Sequence, residues 1–311
     1  SGGQSIRLDA IGYIWKEAGT SCIHLPQAHN IIKVWRTILD EVIPGTRLIT
    51  ETNVPHQENI SYLGAGDEAH MVYQFPLPPL TLHACLRGNA RWLRQWAQSL
   101  EKETFPANTT FFNFLASHDG IGLRPVENIL STEEKAFLVS EVERKQGRMS
   151  WRTNPDGSQS PYEMNINFLS ALSEPGEAPD TQVARFAAAH AILFMLQGVP
   201  AIYYHSLLGS ENDIAGLNAS GINRRINREK LDFATTHQAL VTPESRQAKI
   251  YAALTTLLRI RQQHPAFSPA AAQQVLTLPD ALFGVKRHHQ TEEETVYGIV
   301  NVTGASQTLF L

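Results

Sequence analysis

Short apolar runs alternate with amphipathic stretches of helical period along most of the chain, the pattern of repeated β–α units feeding a parallel sheet. Residues 5–9 (SIRLD) read as a strand ending on a charged residue. Residues 25–42 carry apolar positions at helical spacing and stop at Pro44-Gly45. A second strand, 47–52 (RLITET), and a third, 70–75 (HMVYQF), follow, then two helices over 77–86 and 90–100. Residues 110–116 (TFFNFLA) form a fourth strand that runs into Ser117-His118-Asp119-Gly120.

Beyond this point the pattern loosens. Residues 132–146 predict a charged amphipathic helix, and 148–162 a hairpin or loop insertion turning at Asn154-Pro155-Asp156-Gly157. A buried helix over 183–196 precedes a fifth strand, 200–204 (PAIYY), a long polar loop over 207–230 and a helix over 247–263. From about Phe267 short strands (VLTL, LFGVKR, TVYGIVNV, TLFL) succeed one another without helices. The expected division is therefore a barrel-like α/β portion, 1–266, and the start of a small antiparallel β-domain, 267–311.

The most apolar stretch, 183–208, is broken by Arg185, His190, Gln197 and Pro200, which favours a buried helix and strand over a membrane span. Ser1-Gly2-Gly3-Gln4 offers neither a charged segment nor an apolar one, so no signal peptide is visible. The 26 basic and 30 acidic residues give a formal charge of −4 with no basic stripe, arguing against a nucleic-acid surface. Cys22 and Cys85 stand in no metal or redox spacing and fit a reducing cytoplasm.

Three of the strand-like runs lead to an acid: Asp9 in IRLDAIGY, Glu51 in ITETNVPH and Asp119 in ASHDGIG. In a parallel barrel the C-terminal strand ends converge on one face, and that face carries the active site. Three carboxylates delivered there, with no Cys/His cluster, fit glycosyl transfer: a nucleophile, a proton donor and a stabiliser of an oxocarbenium-like transition state. Arg7, two residues before Asp9, shares its strand face, and a guanidinium there favours an ionised nucleophile. The proton donor needs the opposite, a carboxyl kept protonated by burial and like charge. Singly, each residue has a plainer reading. An acid after a strand caps a helix, an Asp before Gly makes a turn, His118 is a hydrogen-bonded loop histidine, and Arg7 pairs with a structural acid.

With these flanks the chain resembles glycoside hydrolase family 13, the α-amylase family, and within it the sucrose phosphorylase subfamily. Longer strings carry the subfamily likeness: KEAGTSCIHLPQAHN, ETNVPHQENISYLG, SPYEMNINFLSAL, GVPAIYYHSLLGS and INRRINREKLD. The resemblance implies an α/β fold, the second half of a (β/α)8 TIM barrel (about strands four to eight) followed by a small antiparallel β domain. It implies Asp9 as nucleophile, Glu51 as general acid/base and Asp119 as stabiliser, with Arg7 and His118 binding the glucosyl unit. It also implies an α-glucoside and inorganic phosphate as substrates, α-glucose 1-phosphate as product, and no cofactor or metal. The family's Asp-x-x-x-Asn-His-type motif is absent, so a missing N-terminal half-barrel segment or an oligomer partner is expected. Where sucrose phosphorylases proper have an Asp-Leu-Tyr-Gln-type loop, this chain has Ser160-Pro161-Tyr162-Glu163, which looks more like the glucosylglycerate or glucosylglycerol phosphorylase branch. Tyr162 and Glu163 would then shape the acceptor site, with Arg224 and Arg228 as anion contacts or, more plainly, as solvated or salt-bridged loop residues. An α-glucosidase or transglucosidase, and an inactive fragment or half of a split enzyme, remain the alternatives.

Overall fold

The protein is described here by a computed structural model covering residues 2–309 except Pro155. In chain order its strands are β1 (Ser5–Leu8), β2 (Arg47–Thr50), β3 (Met71–Tyr73), β4 (Thr110–Asn113), β5 (Ile121–Gly122), β6 (Arg148–Thr153), β7 (Gln159–Asn165), β8 (Val199–Pro200), β9 (Ala272–Val275), β10 (Leu282–His289) and β11 (Glu294–Asn301). β1, β2, β3, β4 and β8 form one parallel sheet in that order, each strand beside its predecessor. Helices separate them: Pro26–Val42 after β1, His56–Ile60 after β2, Leu77–Arg87 and Arg91–Leu100 after β3. This is the sequential arc of a (β/α) barrel, five parallel strands long and open between β1 and β8.

The long crossover from β4 to β8 holds the antiparallel sheet β5-β7-β6 and the helices Thr132–Arg144, Phe168–Leu172 and Pro179–Met195. Pro179–Met195 is the core helix that the apolar stretch predicts, and Phe186, Ala189, Ile192 and Leu193 are fully buried. Among the described residues no helix is long and apolar enough to cross a membrane. The sheet β11-β10-β9 packs on this helix, so Phe283, Val285, Val300 and Val302 join the core of the parallel portion. Arg287, on β10, is wholly buried and donates to the carbonyls of Met195, Ser268, Ala271 and Ala272. Burial lowers its guanidinium to about 9, a cost met by those four acceptors.

Several expected boundaries move. The strand expected over 110–116 ends at Asn113, and the one over 200–204 is Val199–Pro200; their pairing runs out with Ala201 N donating to Asn113 O. The expected polar loop 207–230 contains the helix Ile214–Ser220, capped by the Asp213 side chain on Gly216 N, and the 3-10 turn Asn223–Asn227. The hairpin is present, with Gly157 N donating to Asn154 O at 2.9 Å; Pro155 lies outside the described residues. Of the expected TLFL strand, Thr308 and Leu309 are not in a strand, and Phe310 and Leu311 lie outside the described residues.

The open edge carries an apolar signature. Ile6 on β1 is 41% exposed, and Val34, Ile38 and Val42 lie exposed along the helix that follows. In a closed barrel those faces meet a neighbouring β–α unit.

Candidate active site

Parallel register brings the first two acids together. Leu8 pairs with Thr50, and Glu51 N donates to Leu8 O at 3.1 Å, so Asp9 and Glu51 leave adjacent strands side by side. Arg7 joins them: Nη1 lies 2.5 Å from Asp9 Oδ1 and Nη2 lies 3.6 Å from Glu51 Oε2. Arg7 Nε donates to Tyr73 Oη at 3.0 Å, which fixes the guanidinium from β3. Tyr73 is packed edge-on by Phe112 and Phe114. Ala10 takes a left-handed conformation (φ 45°), and its N–H donates to Glu51 Oε2 at 3.0 Å.

Asp119 arrives differently. Five residues separate it from the end of β4, and the segment is held by Asn227, whose Nδ2 donates to the carbonyls of Ser117 and Asp119. Arg224 Nη1 and Arg228 Nη2 reach Asp119 Oδ1 at 2.8 and 2.9 Å. Arg224 also grips the buried Glu163 through Nε at 3.0 Å and Nη2 at 2.8 Å. His118 is half exposed, 3.7 Å from Asp119 Oδ2.

One cleft is lined by Arg7, Glu51, His118, Asp119, Tyr162, Glu163 and Arg224 together. Asp9 is not among its lining residues; its side chain is 73% exposed, tied back by Arg7. Arg228 is not among them either, although it reaches Asp119. The two arginines expected as anion contacts are thus paired with carboxylates in this structure.

Electrostatics separate the acids. Burial pushes the Glu51 carboxyl above its ordinary range, against the Ala10 N–H and Arg7, which pull it down; the charges of Asp9 and Asp119 push it up further. Asp9 has an exposed side chain and its own guanidinium contact. A carboxyl whose pKa is raised by burial is what a general acid requires, and Glu51 meets that need. Among the described residues no group of three or more His, Cys, Asp or Glu is placed to hold a metal ion.

Sequence reasoning missed Tyr73, Asn53, Asn227 and the Ala10 N–H. For Tyr73 a signal existed: it follows the pleat of HMVYQF at the strand end level with the acids. Asn227 carried none, since its role depends on a contact 110 residues away. Gly120 was read only as a turn, but packing explains it. A Cβ there would lie 2.6 Å from both Glu163 Cγ and Met164 O. Gly120→Ala is therefore expected to destabilise the protein by about 1–3 kcal/mol and to displace Glu163, measured as a fall in denaturation midpoint. An unchanged midpoint would show that the loop gives way freely.

No family profile matches the sequence. The chain is 49% identical over 313 residues to the glucosylglycerate phosphorylase of Allomeiothermus silvanus, aligning 99% of this chain with 55% of that protein. A sucrose phosphorylase of Agrobacterium vitis is 31% identical over 274 residues, 85% of this chain and 51% of that protein. Among solved structures, the sucrose 6F-phosphate phosphorylase of Thermoanaerobacter thermosaccharolyticum superposes with a TM-score of 0.77 at 20% identity, covering 96% of this chain and 56% of that one. The chain is thus a homologue of α-amylase-family glycoside phosphorylases and has the fold of the second half of their barrel. Within that class its sequence stands nearer the glucosylglycerate phosphorylases than the sucrose phosphorylases, 49% against 31%. It spans about half the length of the relatives it matches.

Proposed function

We propose that the chain supplies the catalytic carboxylates of a retaining α-glucoside phosphorylase acting on a glucosylglycerate-type substrate. The observation that carries the reading is the single Arg7 guanidinium touching Asp9 and Glu51 at the ends of paired parallel strands. Asp9 attacks the anomeric carbon and Glu51, kept protonated, gives its proton to the departing hydroxyl. Asp119 stabilises the positive charge that develops on the sugar, and Arg7 and His118 hold the glucosyl unit. Phosphate then attacks the glucosyl-aspartate, Glu51 removes its proton, and α-glucose 1-phosphate leaves. The catalytic acids suit water as acceptor equally well, so the acceptor decides between phosphorylase and hydrolase. With glucosylglycerate as donor, phosphate is expected to direct most product to glucose 1-phosphate; free glucose alone, at any phosphate concentration, would establish a hydrolase.

The homologous length and the open sheet support two further parts of the reading. Residues 1–266 are the later barrel portion and 267–311 the start of a β-domain, and the enzyme works in the cytoplasm, where Cys22 and Cys85 remain thiols. A further set of β–α units pairs with the outer edges of β1 and β8 and covers Ile6, Val34, Ile38 and Val42. These 311 residues expressed alone are expected to self-associate and to be inactive. An active monomer in sedimentation experiments would contradict that.

A further inference from the structure

Three guanidiniums of the site already hold carboxylates. Arg7 holds Asp9 and lies near Glu51, Arg228 holds Asp119, and Arg224 spends its whole fork on Glu163 and Asp119. Arg124 is different. It opens the 3-10 turn Arg124–Val126, is half-buried, and among the described residues has neither a carboxylate within ion-pair distance nor a side-chain hydrogen bond. Lys16, another cation here without a carboxylate partner, is exposed and lies over the Tyr13 ring.

The backbone fixes where Arg124 stands. Gly122 pairs with Glu163, and Leu123 N donates to Tyr162 O at 3.0 Å, so the turn begins beside the expected acceptor loop. Gly122 and Tyr162 line the cleft, Leu123 is buried in the core, and Arg124 follows as a half-buried residue two positions beyond that lining. Burial raises the Tyr162 phenol and lowers the His24 imidazole; the Arg124 charge reaches both and favours the deprotonated state of each. Two polar groups of the cleft are free. Among the described residues the Tyr162 hydroxyl makes no hydrogen bond, and Asn53 Oδ1, which lines the same cleft, is buried without a partner.

We propose that Arg124 binds the anionic group of the glucosyl acceptor, a carboxylate or a phosphate, beside the free hydroxyl of Tyr162. Asn53 Oδ1 accepts from a hydroxyl of the same molecule. The assignment rests on the phosphorylase reading for the identity of the acceptor, but not for the presence of an anion site. A guanidinium with its fork unoccupied is the group best shaped for a planar carboxylate or a phosphate edge, and the buried, unpaired Asn53 oxygen is the kind of acceptor a ligand satisfies.

The test uses the complete enzyme, titrated calorimetrically with sodium glycerate, with inorganic phosphate and with glycerol, as wild type, R124A and R124K. R124A is expected to lose about tenfold or more in affinity for the anion that Arg124 holds, R124K to recover part of it, and glycerol binding to stay unchanged. An effect on one anion alone identifies which of the two occupies the site. Wild-type affinity of R124A for both anions overturns the proposal, and so does an equal loss for glycerol. Phosphorolysis by the wild type, assayed in parallel, judges the phosphorylase reading separately: anion binding that depends on Arg124 without phosphorolysis keeps the site and removes that reading.

Discussion

Asp9→Asn is expected to abolish glucosyl transfer in the complete enzyme, lowering turnover of glucose 1-phosphate by on the order of 10⁴-fold or more. The amide is a far poorer nucleophile and carries no charge to oppose the developing oxocarbenium ion. The fold should be indifferent to the change, because Asp9 is 73% exposed and meets its guanidinium partner at the surface. Initial rates and the thermal midpoint, measured on the same preparation, separate the two effects. A variant keeping more than about a tenth of wild-type activity would remove Asp9 from the nucleophile's role.

Glu51→Gln is expected to show a loss that depends on the leaving group. General acid assistance contributes about 10²–10⁴-fold where the leaving group is a poor one, such as an alcohol. With glucose 1-phosphate or glucosyl fluoride, which need little or no proton, the defect should be much smaller. The pH profile adds a second signature. Burial holds the Glu51 carboxyl above its ordinary 4.5, so the acid form persists to higher pH, and activity is lost as pH rises through the raised value. That alkaline limb should disappear in E51Q with glucosyl fluoride as donor. An equal loss with every donor, or an unchanged limb, would assign the acid role elsewhere.

The part of this site that was legible in the sequence is the part built by local rules. SIRLD and RLITET pair in the register that brings their terminal acids together, and the pleat puts Arg7 on the face of Asp9. Asp119 is singled out by its motif, but its position is not legible there, since the strand meant to carry it stops at Asn113 and a loop pinned by Asn227 brings it to the cleft. The pairing of Arg224 and Arg228 with Glu163 and Asp119 was invisible for the same reason: it joins segments up to 109 residues apart. Short helices escaped too. His56–Ile60 and Phe168–Leu172 are five residues each, too short for a helical period to show, and tertiary packing holds them. Nothing in LFGVKR marks Arg287 as buried, yet it lies wholly inside, donating to four backbone carbonyls.

The central claim is a double displacement in which Asp9 carries the sugar, and the anomer of the first-formed product tests it most directly. Complete enzyme is mixed with an α-glucosylglycerate and inorganic phosphate, and the anomeric proton is followed by NMR before mutarotation of any free glucose. Two displacements at one carbon restore its configuration, so the account predicts α-glucose 1-phosphate from the earliest spectrum. β-Glucose 1-phosphate as the first product would show a single inverting displacement and contradict it.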